Sequence, residues 1–417
     1  MTRSSHRVSA ISQLSLFSHV LHAYTGRTEG HELSKADLYA KVASDSAVDD
    51  LRASARVPVG SSRSPRNLFH RDIRWHQQTL KHAGILKRLP DARGVWQLAE
   101  KAEKDLHALP AGMSLVAYST TLGVAILGSC DTVFAAIDAP IVLSITSPPY
   151  PLAQARRYGN VEPSVYIDWI CKMLAPVVRN LVPGGSICLN IGNDVFEPGL
   201  PSRSLYRERL VIALCDRFGL HKMDELIWHN ASKPPGPVRW ASIERTQLNV
   251  SYEPVYWFTN DPARVRSNNR RVLQAHTDKH LKLINAGGEA NRRHNADGSY
   301  RTKAGAYGLP TVGKIPRNVL SFGHSCASQL AYKQNARAMG LPAHGAPMPL
   351  SLASFLVEFL SEPDDLVADP FGGSFTTALA AERLGRRWMS TEIMVEYVLG
   401  SATRFRDAPG FENLLAA

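Results

Sequence analysis

Four consecutive residues, Ser147, Pro148, Pro149 and Tyr150, carry the densest chemistry in the chain. They present a hydroxyl, two rigid prolines with free carbonyls, and an aromatic face. An apolar segment of strand length, Ala139 to Ile145, precedes them. The prolines end any ladder, because neither donates a backbone N–H and each fixes φ. The turn therefore sits at the carboxyl end of a strand, where open α/β sheets place their ligands. Taken alone, the four residues also fit a plain strand exit.

A second stretch shifts that balance. Asp365 to Thr377 contains a short apolar strand, Leu366 to Ala368, then Asp369, Pro370, Phe371, Gly372, Gly373 and Ser374. The glycines allow a tight turn and close backbone approach to a ligand. Ser374, Thr376 or Thr377 is expected to cap the helix that follows, Ala378 to Leu384. Glu392 lies about 20 residues beyond, after another apolar run, the spacing at which a carboxylate binds ribose hydroxyls. A strand, Asp, Gly-Gly, helix, strand, Glu unit points to a nucleoside-containing cofactor.

Together the two stretches resemble the amino-methylating DNA methyltransferases. Thr146-Ser147-Pro148-Pro149-Tyr150 resembles their catalytic motif, and Asp369 to Ser374 their S-adenosylmethionine motif. His344 to Pro349 and the helix-like Leu350 to Leu360 resemble the segment that flanks the cofactor. Catalytic motif first and cofactor motif last is the permuted order of the β class. Ser-Pro-Pro-Tyr, in place of Asp-Pro-Pro-Tyr, is typical of enzymes acting on cytosine N4. The resemblance spans about Leu115 to Glu392 and departs at Phe375, where the family usually has a third glycine. It implies Ser147 and the Pro148 carbonyl as acceptors for the amine hydrogens and Tyr150 as the stacking face for a flipped base. It implies Asp369, Pro370, Phe371, Gly372, Gly373, Ser374 and Glu392 around S-adenosylmethionine, and no metal.

Composition agrees with this reading. A chain of 417 residues holds one large α/β domain plus a smaller one. The net charge of +11 suits a polyanionic partner. Cys130, Cys171, Cys188, Cys215 and Cys326 form no C-x-x-C pair, which argues against zinc and disulfides and fits a reducing cytoplasm. None follows a proline, so the nucleophile of cytosine C5 methylation is missing. No 18-residue apolar run or signal pattern is present, so a cytoplasmic location without membrane contact is expected.

The elements that must position these residues follow in order. The amphipathic patch from Ile11 to Tyr24 reads as a short helix, Ser34 caps a helix to Val42, and Val57 to Pro65 reads as a loop. Asn67 caps a helix from Leu68 to Ala83, with Phe69, Ile73, His76 and Leu80 inward and Arg71, Arg74, Gln78 and Lys81 elsewhere around it. Ile85 to Leu89 and Val95 to Leu98 form a hairpin around the basic tip that holds Arg93. Asn67 to Lys104 resembles the amino-terminal winged-helix domain of some restriction systems, which implies DNA contact through Arg71, Arg74, Lys81 and Arg93. A packing extension with solvated charges is the alternative. Leu122 to Leu127, Ile141 to Ile145, Ser186 to Ile191, Leu220 to Trp228 and Tyr252 to Phe258 read as strands. Helices at Asp131 to Ile137, Ser164 or Tyr166 to Leu181, and Tyr206 to Phe218 alternate with them. A mainly parallel, Rossmann-like α/β sheet with helices on both faces results. By resemblance, the loop from His229 to Pro237, with Lys233 as an expected DNA contact, and Glu253 border the base pocket; for Glu253 an ordinary strand-edge carboxylate is the alternative.

Between Arg264 and Arg317, twelve cations, Arg270, Arg271, Arg292 and Arg293 among them, meet only Asp278, Glu289 and Asp297. A solvated surface is the bland reading, but the segment occupies the place of target recognition, and its charge suits phosphates. Four regions result: a winged helix at 1–110, a catalytic part at 111–260, a recognition region at 261–320 and a cofactor part at 321–417. The expected activity is site-specific methylation of cytosine N4 in double-stranded DNA, with room for a cognate restriction endonuclease and a homodimer. Adenine N6 as target, a DNA-binding regulator with an inactive methyltransferase half, and RNA as substrate stay open.

Overall fold

The computed structural model describes residues 19–20, 23–24, 32–45, 54–59, 64–82, 86–89, 92, 94–98, 108–109, 112–152, 161–294, 301–324 and 326–415. Most of the Ile11 to Tyr24 patch, the hairpin tip with Arg93, and Ser325 lie outside these residues.

The amino-terminal unit contains helix α1 (Lys35–Asp45), strands β1 (Arg56–Val59) and β2 (Ser64–Asn67), helix α2 (Leu68–His82), and strands β3 (Leu86–Arg88) and β4 (Trp96–Leu98). Ser34 Oγ accepts from the Asp37 amide at 3.2 Å and Asn67 Oδ1 from the His70 amide at 2.9 Å, so both expected caps form. Ile73, His76 and Leu80 are buried, and Phe69 is half-buried. The expected loop at Val57 to Pro65 is instead half of an antiparallel ribbon, β1 with β2. Pro58 stands opposite Pro65. At a pair that exchanges no hydrogen bonds, neither proline needs a donor, so the ribbon survives both. β3 and β4 pair as expected, and Leu33 bonds Trp96 from the far side, at 2.9 and 3.1 Å.

The large domain runs β5 (Ser114–Ser119), β6 (Gly123–Gly128), α3 (Cys130–Ala135), β7 (Ile141–Thr146), α4 (Tyr166–Arg179), β8 (Leu181–Asn190), α5 (Tyr206–Phe218), β9 (His221–His229) and β10 (Tyr252–Thr259). It continues with α6 (Asp278–Asn285), β11 (Arg293–His294), β12 (Arg301–Thr302), β13 (Val319–Ser321), α7 (Ala327–Ala338) and α8 (Leu350–Leu360). β14 (Leu366–Asp369), α9 (Thr376–Arg383), β15 (Arg387–Glu392), α10 (Val395–Ala402) and β16 (Glu412–Asn413) complete it. α5 ends on Gly219 at φ 64°, the left-handed closure expected of glycine.

Ten strands form one sheet, in the order β13-β9-β10-β8-β7-β14-β15-β6-β5-β16. Pairing directions make β10 and β5 antiparallel to all the others. The sheet is therefore mixed, with a parallel centre, rather than uniformly parallel. Along β8 and β10 the side chains alternate between two cores: Ile187, Leu189, Tyr256 and Phe258 meet α3, α4 and α5, while Cys188, Val255 and Trp257 face the core of α8, α9 and α10. Helices thus cover both faces, as expected. The junction of α4 and β8 differs from expectation. Asn180 caps α4, and Pro183-Gly184-Gly185 falls inside β8, where the Gly184 amide reaches Asn260 Oδ1 at 2.9 Å. The chain after Ala402 adds β16 to the sheet edge.

The connector from the amino-terminal unit meets the large domain beside Glu392. Ala108 bridges Met394, and the Leu109 amide donates to the Ile393 carbonyl at 2.9 Å.

Phe375 explains its own departure from the family pattern. It is the N-cap of α9 at φ 57°, the left-handed region where glycine is usual, and its ring is fully buried, 5.6 Å from that of Tyr118. The backbone keeps the glycine conformation while the ring fills the core, away from the ligand side. The helix is accordingly not capped by Ser374, Thr376 or Thr377, whose hydroxyls are engaged elsewhere. Phe375→Gly relieves left-handed strain of about 1–2 kcal/mol. It should still destabilise, because burying a phenyl ring is worth about 3–5 kcal/mol. Urea unfolding checks this: a glycine variant as stable as the parent would contradict the packing role.

Candidate active site

The parallel centre of the sheet places the two motifs side by side. β7 pairs with β14 and β14 with β15, so Thr146, Asp369 and Glu392 end neighbouring strands at one edge. Thr146 Oγ1 donates to Asp369 Oδ1 at 2.8 Å, which also accepts from the Phe371 amide at 3.1 Å. These bonds fix the first residue of the cofactor loop against the last residue before the Ser-Pro-Pro-Tyr turn.

The glycine turn is held from behind. The Gly372 amide donates to the Thr391 carbonyl, the Gly373 amide to Glu392 Oε2 and the Met394 amide to Glu392 Oε1, each at 2.8 Å. Glu392 thus organises the loop as well as facing the cavity. Gly373 sits at φ +52°, and a Cβ there would lie 3.3 Å from His344 Nε2. Glycine keeps the space between loop and His344 open.

In the turn after β7, Ser147 Oγ and Tyr150 Oη are 2.9 Å apart, and Tyr150 Oη reaches Asn190 Oδ1 at 3.5 Å. Burial, then the negative charge of Glu253, pushes the Tyr150 hydroxyl well above its usual pKa, so the phenol stays protonated. A Cβ on Gly192 would sit 2.7 Å from Tyr150 Cδ2, so the ring packs where only glycine leaves room.

Both motifs open into one cavity of about 790 Å³. Ser147, Pro148, Pro149 and Tyr150 line it with Asp369, Pro370, Phe371, Gly372, Gly373, Ser374 and Glu392, so every expected catalytic and cofactor residue is in one place. His344 to Met348 form a further wall. Lys233 Nζ pairs with Glu253 Oε1 at 3.0 Å, each side chain only 20 % exposed, and both face the cavity. Sequence reasoning missed several lining groups. Asn190 and Trp228 stand at or near carboxyl ends of strands and could have been found by that rule. His324, stacked on Trp228 at 6.2 Å, left no local signal.

The expected DNA contacts are more dispersed. Arg71 is exposed beside Asp72 at 3.7 Å, Arg74 Nε donates to the His70 carbonyl, and Lys81 lies 5.8 Å from the Trp96 ring centre. Arg270 and Arg292 are exposed, and Arg293 belongs to β11. Arg271 is not free for DNA: its guanidinium bonds the carbonyls of Arg266, Phe359 and Ser361 and pairs with Glu362 at 2.6 Å, closing the end of α8. Among the described residues no cluster of His, Cys, Asp or Glu could hold a metal, and no helix is long and apolar enough to cross a membrane.

This geometry coincides with a family pattern: a model described as DNA methylase, of the N6/N4 type, matches residues 141–403. The chain belongs to the N6/N4 DNA methylase family. It is 34 % identical over 300 residues to type II methyltransferase M.PvuII of Proteus hauseri, spanning 70 % of this chain and 86 % of that one. It is 24 % identical over 262 residues to DNA adenine methyltransferase YhdJ of Escherichia coli, covering 61 % and 73 %. The solved PvuII DNA methyltransferase (cytosine-N4-specific) superposes with a TM-score of 0.55 at 32 % identity, over 69 % of this chain and 88 % of that one. The protein is an S-adenosylmethionine-dependent DNA methyltransferase. As an N6/N4 methylase, it has a lining that fits the cofactor: an open glycine turn, an acidic strand end and a cavity of ligand size.

Two outcomes follow. Gly192→Ala should push the Tyr150 ring aside and lower single-turnover methylation by about 10²-fold, the usual effect of a misplacement near 1 Å. A near-normal rate would mean that the ring position is unimportant. The second concerns pH. Burial raises Glu392 from an ordinary 4.5 to about 7 and Asp369 from 3.8 to about 6. The folded state then binds more protons than the unfolded one between these limits, so each carboxyl makes stability fall as pH rises through its window. Wild type should lose stability relative to Glu392→Gln between about pH 5 and about pH 7. Urea midpoints across that range check the sign; a constant or opposite difference would contradict it.

Proposed function

We propose that the protein methylates the exocyclic N4 amine of a cytosine flipped out of double-stranded DNA at a specific site. The observation that carries this reading is Ser147, a neutral hydroxyl heading the Pro-Pro-Tyr turn, bonded to Tyr150 and facing the cavity shared with the glycine loop. An amine inside a duplex is out of reach, so the base must leave the stack, at a cost of a few kcal/mol. The Tyr150 ring offers the flipped base a stacking face, and Trp228 with His324 walls the same cavity.

Ser147 Oγ and the Pro148 carbonyl accept the two amine hydrogens. The amine lone pair is ordinarily delocalised into the ring, and these acceptors favour a more tetrahedral, nucleophilic nitrogen. S-adenosylmethionine supplies an electrophilic methyl group on a sulfonium. The amine would take that methyl group directly, with the neutral thioether as leaving group and the surplus proton passing to water, and with no covalent bond to the protein. Positioning and electrostatics account for the acceleration. In this reading Glu392 would hold the ribose, and the Ser147 turn would receive the methyl group across the cavity that both line.

DNA contact is divided. α2 with the β3–β4 hairpin and Leu33 beside Trp96 supports a winged-helix reading of the amino-terminal unit, with Arg71, Arg74 and Lys81 toward phosphates. The basic segment between Arg264 and Arg317 then selects the site, and Lys233 belongs to the base pocket. A restriction–modification setting with a cognate endonuclease is supported by the type II relative.

Methylated DNA digested to nucleosides should contain N4-methylcytosine; N6-methyladenine alone would overturn the choice of base. Ser147→Ala should lower turnover roughly 10²-fold, equivalent to about 2.7 kcal/mol of transition-state stabilisation, with smaller changes in DNA and cofactor affinity. Single-turnover rates beside binding titrations check this, and a near-normal rate would remove Ser147 from the chemistry.

A further inference from the structure

Behind the cofactor loop lies a cation that the methyl-transfer chemistry leaves unused. The Arg404 guanidinium donates from Nη1 to the Ser374 carbonyl at 2.7 Å and to Thr376 Oγ1 at 3.0 Å, with Ser374 Oγ at 3.4 Å. Its Nη2 donates to Ser328 Oγ at 2.9 Å, and the Tyr332 ring lies 5.5 Å away. Among the described residues no carboxylate stands within ion-pair distance of it, and its buried Nε has no partner. A partly buried charge without a counterion is costly, so this arrangement is incomplete without an anion nearby.

The hydroxyls in front of Arg404 give that anion a place. Thr376 Oγ1 also accepts from Gln329 Nε2 at 3.1 Å, and Gln329 is itself fixed by the Met348 carbonyl at 2.6 Å. A hydroxyl has two lone pairs and one proton. Arg404 and Gln329 are pure donors at these atoms and occupy both lone pairs of Thr376. The Thr376 proton must therefore go to its remaining neighbour, Ser374 Oγ, at 3.1 Å. Ser374 Oγ then accepts from Thr376, with Arg404 beyond it, and has its own proton to give. Ser374 and Thr376 both line the cavity.

We infer that Arg404 and Gln329 polarise a hydroxyl relay, Thr376 to Ser374, that presents a hydrogen-bond donor to the carboxylate of the cofactor's amino-acid end. This rests on the cofactor placement proposed above: with the ribose at Glu392 and the methyl group at Ser147, the amino-acid end remains for the wall of Ser374, Thr376 and His344 to Met348. The carboxylate supplies the negative charge that Arg404 lacks, through a Ser374 bond of the charge-assisted kind. Arg404 is a positioning residue in this scheme, since it touches the hydroxyls and not the ligand.

Two ligands separate this role from plain loop support. S-adenosylhomocysteine carries the amino-acid end; 5′-methylthioadenosine has the same nucleoside and sulfur without it. Calorimetric titration of wild type, Ser374→Ala and Arg404→Gln should show affinity for S-adenosylhomocysteine falling about tenfold, equivalent to about 1.4 kcal/mol. Affinity for 5′-methylthioadenosine should change less than about twofold. Equal losses for both ligands, or no loss for either, would overturn the relay. If Arg404→Gln fails to fold, Ser374→Ala, which deletes one hydroxyl of a residue that lines the cavity, decides alone. A wild-type protein that binds both ligands equally would refute the relay and leave the nucleoside placement intact. The identity of the methylated base is read separately from DNA digests.

Discussion

The bond from Thr146 to Asp369 is the constraint on which the site depends. It joins residues 223 positions apart, and it exists because β14 inserts between β7 and β15 in parallel. Without that insertion the Ser-Pro-Pro-Tyr turn and the glycine loop would each be an ordinary strand exit. With it, the carbonyls and hydroxyls that would face an amine lie across one cavity from the loop that would hold the methyl donor. The permuted order of the chain costs nothing here, because the sheet restores adjacency that the sequence lacks.

Much of this was legible in advance, for identifiable reasons. Proline pairs and glycine pairs act locally, so the exits of β7 and β14 could be read from a handful of residues. The 3.6-residue apolar period of α4 and the Gly219 closure of α5 are likewise local. What escaped depended on tertiary partners. The β1–β2 ribbon hides behind two prolines that its register makes harmless. The reversal of β10 is decided by pairing with β8 and β9, and nothing within Tyr252 to Thr259 encodes a direction. Arg271 looks in sequence like its neighbour Arg270, yet only the fold brings the end of α8 beneath it.

Phe375 shows how the same conformation can be reached by different means. Glycine enters the left-handed region because it has no Cβ. Here a phenylalanine enters it because Tyr118 and the surrounding aromatic core receive the ring. Sequence comparison alone marks this position as anomalous, whereas the packing shows strain on one side of the residue offset by burial on the other. The ligand-facing side of the loop is left to Gly372, Gly373 and Ser374.

The short bridge from Ala108 and Leu109 to Ile393 and Met394 gives the amino-terminal unit a second significance. Met394 donates its amide to Glu392, so the connector is one residue removed from the carboxylate that braces the glycine turn. A boundary drawn at residue 110 would cut the chain just after a hydrogen bond that borders the cavity. The connector that follows the amino-terminal unit is thus tied to the large domain. Ala108 and Leu109 back Ile393 and Met394 in the wall of the active site, and a graft or domain exchange that keeps this backing must carry both with the large domain.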